Sequence, residues 1–247
     1  MNHFLHGMLY LFKGFRHLLS PGLKRFIILP MTLNFILFTG LFYFTYHYVF
    51  TITSYYLDKL PSWLSVLSGV FFIIFIISFF LLFFSMFSVV FNVIAAPFNG
   101  LLAEKAQVVL YSSQPPSQPF IEMVLRSIKR QGQFLKYYIL RFLIVCLLFF
   151  VPFIQPIYPF IWFVFTAWML SVQYQDFPMD NNLVSFTDLK HNIKNNKMRS
   201  LGFGTGINLV SFIPIMNILI MPAAVIGSTM LYCEKNKDLL KKSANLN

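Results

Sequence analysis

The run FFIIFIISFFLLFFSMFSVVF, residues 71–91, carries no charge, and its only polar side chains are Ser78, Ser85 and Ser88. As a helix rising about 1.5 Å per residue it reaches about 30 Å, the thickness of a bilayer's hydrocarbon core. It is apolar on every side, so it offers no polar face to water. It reads as a membrane span. Residues 60–103 around it are uncharged throughout, and so are residues 26–57 upstream. Asp58, Lys59 and Pro61 form the polar break between the two runs. The pattern predicts two long spanning helices, 21–57 and 61–103, joined by a tight turn. Tyr43, Tyr46, His47 and Tyr48 collect in the far half of the first, as an interfacial aromatic belt does.

Composition agrees. Of 247 residues, 57% are hydrophobic and 11% charged, against about 25% charged in a soluble domain. The mean hydropathy is +0.69. The net charge of +11 reads as cytoplasmic Lys and Arg. No basic domain stands clear of the apolar runs, so nucleic acid is not a predicted partner. Cys146 and Cys233 lie in or beside apolar runs without a CxxC spacing, and His3, His6 and His17 lack Cys or acidic partners. Neither set predicts a metal site or a cofactor. No cleavable signal peptide is visible.

Residues 1–19 set Phe4, Met8, Leu11, Phe12, Phe15, Leu18 and Leu19 at helical spacing, interrupted by Lys13, Arg16 and histidines. This predicts an amphipathic helix lying in the membrane interface. Next comes Ser20-Pro21-Gly22-Leu23-Lys24-Arg25-Phe26-Ile27-Ile28-Leu29-Pro30. Ser20 is a favourable N-cap and Pro21 a favourable first helical residue, so a helix is expected to begin here. Lys24 and Arg25 then fall in its first turn, where the macrodipole disfavours cations unless an anion is bound. That anion is a lipid phosphate or a substrate; the residues alone leave both open.

Beyond residue 103 a basic cytoplasmic segment, 104–141, includes the loop SSQPPSQP (112–119) and the cations Arg126, Lys129, Arg130, Lys136 and Arg141. Residues 142–175 are apolar but divided by Pro152, Pro156 and Pro159, and residues 201–233 are divided at 211–214. Counted as apolar residues alone, the arms 142–151 and 160–175 are each shorter than a span. Both runs have basic flanks, and 234–247 is a basic tail. Returning hairpins keep those flanks on one side, as the positive-inside rule prefers. Two helical hairpins that probe part of the bilayer are therefore expected. Such broken helices occur where they line a wet path or a transport site.

No enzyme constellation appears: there is no GxSxG, HExxH or phosphate-binding GxxxxGK, and no acid sits in the middle of an apolar run. One further stretch stands out, Ala95-Ala96-Pro97-Phe98-Asn99-Gly100-Leu101-Leu102-Ala103-Glu104. Pro97 has no N–H for the carbonyl of Val93. Asn99 and Gly100 follow where the span ends, as a helix terminator or as the lining of a polar path.

These stretches, with Ala167-Trp168-Met169-Leu170, Gln173-Tyr174, Asp176, Ile213-Pro214-Ile215-Met216-Asn217 and Met221-Pro222, resemble the signatures of the bacterial CysZ sulfate permease family, in the expected order from about Met8 to Tyr232. The resemblance implies an all-α inner-membrane protein with two long transmembrane helices and two partly penetrating hairpins. It implies channel-like sulfate uptake for cysteine biosynthesis, without a cofactor, by a homo-oligomer built from dimers among membrane lipids. The sulfate-binding positions it implies are Gly22, Leu23, Lys24 and Arg25, the first two through backbone N–H. Lys24 stands where the family usually has Arg, which keeps the charge and loses the bidentate fork. Asn99, Gly100 and Glu104 match the presumed pore entrance. The alternatives are a permease for sulfite, thiosulfate or molybdate, and a non-transporting scaffold whose basic turn grips lipid phosphate.

Overall fold

The structure, a computed structural model, describes residues 3–57 and 65–237. The helices are α1 (His3–His17), α2 (Lys24–Leu57), α3 (Ser65–Tyr111), α4 (Phe120–Phe149), α5 (Tyr158–Asn181), α6 (Phe186–Asn195), α7 (Lys197–Ser211) and α8 (Pro214–Lys235). A 3-10 segment, Pro152–Ile157, links α4 to α5. Among the described residues there is no strand. The expected turn at Asp58, Lys59 and Pro61, and the tail beyond residue 237, lie outside the described residues.

The chain divides into two compact units, Leu29–Ala95 on the one hand and Met1–Ile28 with Ala96–Asn247 on the other. The first holds most of α2 and the first part of α3. The rings of Phe38 and Phe83 meet at 6.3 Å, and Phe79 stacks on Phe83 at 6.2 Å. Phe35, Ile36 and Leu81 face outward, as in a helix pair meant for lipid.

The second unit is built on glycine contacts. Gly7 of α1 lies against the backbone at Arg199 of α7, and Gly202 of α7 lies against Phe4 of α1. Gly14 meets Ala223 of α8, and Gly204 meets Ala167 of α5. A Cβ at any of these four would overlap a carbonyl oxygen. Small residues let backbones approach in this way where no hydrophobic force drives helices together. Contacts rising together, residue 4 on 202 and 8 on 206, make α1 and α7 parallel, while Tyr10 on Gly227 and Gly14 on Ala223 make α8 run the other way. The apolar stripe of residues 1–19 is thereby divided: Leu11 and Leu18 are buried, and Phe12 and Leu19 remain outside. Gly204→Val is expected to cost about 1–3 kcal/mol or more through forced separation of α5 and α7. Gly206→Ala meets its nearest atoms at 3.6 Å and should be tolerated. Equal shifts of the two variants in a detergent unfolding scan would contradict this account.

α4 and α5 form an antiparallel ladder. Phe149 meets Tyr158, Phe142 meets Trp162, Tyr138 meets Phe165, and Trp168 Nε1 donates to Tyr137 Oη at 3.1 Å. Pro152 and Pro156 suit the short 3-10 link, and Pro159 enters the first turn of α5 where no N–H is needed. Counting apolar residues alone understated these helices. α4 has 30 residues and α5 24, because α4 begins well before its apolar arm in the charged residues 120–141 and α5 runs past its own arm to Asn181. The stretches Phe120–Phe149 and Pro152–Asn181, the second including the 3-10 link, are long and apolar enough to cross a bilayer. Phe153 is 92% exposed, and Phe150, Phe160 and Leu147 are exposed with it. A contiguous apolar surface of this kind belongs in lipid, and the protein is a membrane protein.

Candidate functional site

The chain from α1 to α2 turns twice. Ser20 N–H donates to His17 O at 3.1 Å, and Leu23 N–H donates to Ser20 O at 3.2 Å. Gly22 has φ +90°, a conformation other residues rarely take and one a right-handed helix excludes. For that reason α2 starts at Lys24, three residues after the expected Pro21. Ser20 acts through its carbonyl in the turn rather than as the cap of a helix starting beside it. Leu23 is fully buried and Ile27 nearly so, and they hold the turn down. Gly22, Lys24 and Arg25 are exposed.

Lys24 and Arg25 are thus the first two residues of a long helix; Phe26 N–H donates to Leu23 O at 3.0 Å, which leaves the N–H groups of Lys24 and Arg25 as its leading donors. Arg25 lies 4.8 Å from the Phe26 ring. Among the described residues no carboxylate pairs with either cation. Arg16 and His17 close α1 just before the turn, and no acid lies in the first turn of α2. The chemistry available is that of an anion seat: positive dipole end, backbone donors and two free cations.

The second predicted group sits on α3 past Pro97. Asn99 and Gly100 are buried, and Gly100 O accepts from Asn181 Nδ2 of α5 at 2.7 Å. Glu104 is half-buried, 3.7 Å from Lys105. Both line a cavity of about 270 Å³ with Arg126, Asn181 and the loop residues Gln114 and Gln118. A Cβ placed on Gly22 would stand 3.6 Å from Val109 Cγ2, so the basic turn adjoins the same stretch of α3. Among the described residues no hydrogen bond or ion pair joins Lys24 or Arg25 to Asn99, Gly100 or Glu104.

A buried polar network behind Gly100 was not foreseen. Arg130 Nε donates to Asp176 Oδ1 at 2.6 Å and lies 4.0 Å from Asp180. Arg126 Nε donates to Asp180 at 3.2 Å, and Arg126 also bonds Gln118. Arg130 is 7% exposed and Asp176 4%. Gln107 of α3 exchanges amide hydrogen bonds with Asn182, at 2.8 and 3.2 Å. The network joins α3, α4 and α5. Its signal in the sequence was two like-charged pairs of equal spacing and opposite sign, Arg126/Arg130 and Asp176/Asp180, which the antiparallel ladder brings face to face.

A third cluster ties α8 back to α1 and α3. Glu234 accepts from Tyr10 Oη at 2.6 Å, Lys13 Nζ at 3.1 Å and Tyr111 Oη at 3.2 Å. Burial pushes the Glu234 carboxyl up, but the hydrogen bonds from Tyr10, Lys13 and Tyr111 outweigh it and hold it below its ordinary value of 4.5. A depressed carboxylate contributes stability above its unfolded pKa and loses it as pH falls through the folded one. Glu234→Gln should therefore unfold earlier than wild type at neutral pH, with the gap closing as pH falls below about 4.5. A gap that is constant with pH in thermal scans would count against the cluster.

Comparison with known proteins gives this geometry its context. Residues 10–222 match the family described as sulfate transporter CysZ/etoposide-induced protein 2.4. Proteins named sulfate transporter CysZ are similar over nearly the whole length. The one from Pectobacterium atrosepticum is 36% identical over 242 residues, 96% of this chain and 88% of its own. The one from Salmonella typhimurium is 37% identical, covering 96% of both chains. The one from Pseudomonas fluorescens is 36% identical over 232 residues, 92% of this chain and 93% of its own. With a family match over most of its length and relatives of this similarity, the chain belongs to the sulfate transporter CysZ/etoposide-induced protein 2.4 family.

Proposed function

We propose that this protein is a sulfate permease of the bacterial inner membrane, a transporter rather than an enzyme, supplying sulfate for cysteine biosynthesis. Full-length likeness to proteins named sulfate transporters supports the substrate. The observation that carries the site is the pair of cations, Lys24 and Arg25, without a carboxylate partner among the described residues, at the start of α2 behind a left-handed Gly22. Sulfate is a dianion of fixed charge, so a seat made of cations and backbone donors suits it without proton transfer. Leu23 N–H is engaged by Ser20 O and Phe26 N–H by Leu23 O, so in this reading the side chains and backbone N–H groups of Lys24 and Arg25 carry the contact, with Gly22 shaping the turn. Asn99, Gly100 and Glu104 form the approach to the pore beside it.

In the bilayer, α2 and α3 cross fully. The α4–α5 and α7–α8 hairpins enter from the cytoplasmic side and return, with α1 packed alongside α7 and α8. Their basic flanks raise the local anion concentration. Passage is channel-like, and the working form is a homo-oligomer of dimers. The test is radiolabelled sulfate flux into liposomes holding the purified protein, with unlabelled sulfate, sulfite, thiosulfate and molybdate as competitors. Sulfate is expected to compete best. Flux no greater than in protein-free liposomes removes the reading, and better competition by another oxyanion reassigns the substrate. The exposed Leu19, Ile28 and Leu29 around the turn favour a second reading, a turn that grips lipid phosphate; it predicts no flux.

A further inference from the structure

A groove of about 640 Å³ runs along the outer side of α4, α5 and α7. Its walls are apolar: Ile144 of α4, Phe160 and Val164 of α5, and Leu201 of α7. Phe160 is 72% exposed, and Ile144 and Val164 are about half exposed. Two cations, Arg141 of α4 and Lys197 of α7, line the same groove. Arg141 reaches back to Tyr137, with Nη1 donating to Tyr137 O at 3.2 Å and the guanidinium 3.4 Å from the ring. Tyr137 is bonded to Trp168, and Trp168 lies two helical turns along α5 from Phe160. Lys197 opens α7, which runs antiparallel to α5 with Gly204 on Ala167. The groove thus has a charged end, marked by Tyr137 and Trp168, and an apolar end toward the Pro152–Ile157 link.

We propose that this groove holds one anionic phospholipid of the surrounding bilayer, its headgroup phosphate between Arg141 and Lys197 and an acyl chain along Ile144, Val164 and Phe160. Charge selects this occupant. Among the described residues neither cation has a carboxylate partner, and an anionic headgroup supplies the missing charge in a layer where Tyr and Trp rings settle. A second copy of this chain is poorly suited. It has 8 acidic residues against 19 basic ones, and Glu104, Asp176, Asp180 and Glu234 are already paired within the chain. The site is separate from the basic turn at residues 20–25 and does not depend on which anion the protein carries.

Native mass spectrometry of the full chain in detergent, titrated with phosphatidylglycerol or phosphatidylcholine of matched acyl chains, tests it. Wild type is expected to retain one phosphatidylglycerol about tenfold more tightly than phosphatidylcholine, and the preference should fall to about twofold or less in Arg141→Gln/Lys197→Gln. Val164→Trp fills the groove without touching the cations. It should lose the bound lipid while keeping the unfolding temperature of lipid-free wild type; if it does not fold, Val164→Phe takes its place. Equal retention of both lipids by wild type overturns the proposal. So does an undiminished preference in the double variant, or loss of the lipid as the protein self-associates at rising concentration.

Discussion

Arg25→Ala is expected to cut sulfate flux into liposomes about tenfold or more. A hydrogen bond to a charged group contributes about 1.5–3 kcal/mol, or about 10- to 150-fold in affinity. Arg25 offers a planar fork to a tetrahedral oxyanion, and no protein carboxylate competes for it among the described residues. Lys24→Ala should cost less, because an ammonium is a point charge without the fork. Lys24→Arg should preserve or raise flux. Arg25 is exposed and lies over the Phe26 ring. The unfolding temperature of Arg25→Ala should therefore match wild type, which separates a loss of binding from a loss of fold. Wild-type flux through Arg25→Ala would remove the turn as the sulfate seat and leave it as a lipid contact.

Asp176→Ala should be the most damaging single change to stability. It leaves Arg130, 7% exposed, with Asp180 4.0 Å away as its remaining acid. Breaking a buried pair by removing one partner costs about 3–5 kcal/mol, because the surviving charge stays desolvated. Replacing both partners, as Arg130→Met with Asp176→Leu, should recover much of the loss, since the cost lies in the unpaired charge and not in the missing bond. Arg126→Ala should be milder: Arg126 is more exposed, and Arg130 stays close to Asp180. Thermal unfolding in detergent measures all three variants against wild type. A double replacement as unstable as Asp176→Ala would mean the network is needed for its geometry, with Asn181 and Gly100 displaced along with it.

The contrast between the two sites shows what kind of information a linear sequence holds. The basic turn is local. Its proline, glycine and two cations are neighbours in the chain, and their consequences for dipole and donors follow from order alone. Even there the expected start of α2 moved, because a favourable cap residue gave way to the left-handed Gly22. The network of Arg126, Arg130, Asp176 and Asp180 is not local. Read along the chain, the arginines are a solvated basic face and the aspartates are acids at the edge of an apolar run.

Charge-free length determined by itself that this is a helical membrane protein, since a bilayer demands only about 20 apolar residues in succession. Prolines at 152, 156, 159 and 214 likewise marked where helices stop, since a missing N–H acts on its own helix. Tertiary structure alone decided which glycines carry helix crossings, because Gly7, Gly14, Gly202 and Gly204 differ from Gly132 only in what stands opposite them. It decided also that Asp176 is buried with Arg130 and that Glu234 gathers Tyr10, Lys13 and Tyr111. Burial and pairing are properties of what packs against a residue, and a chain read in order holds no record of its neighbours in space.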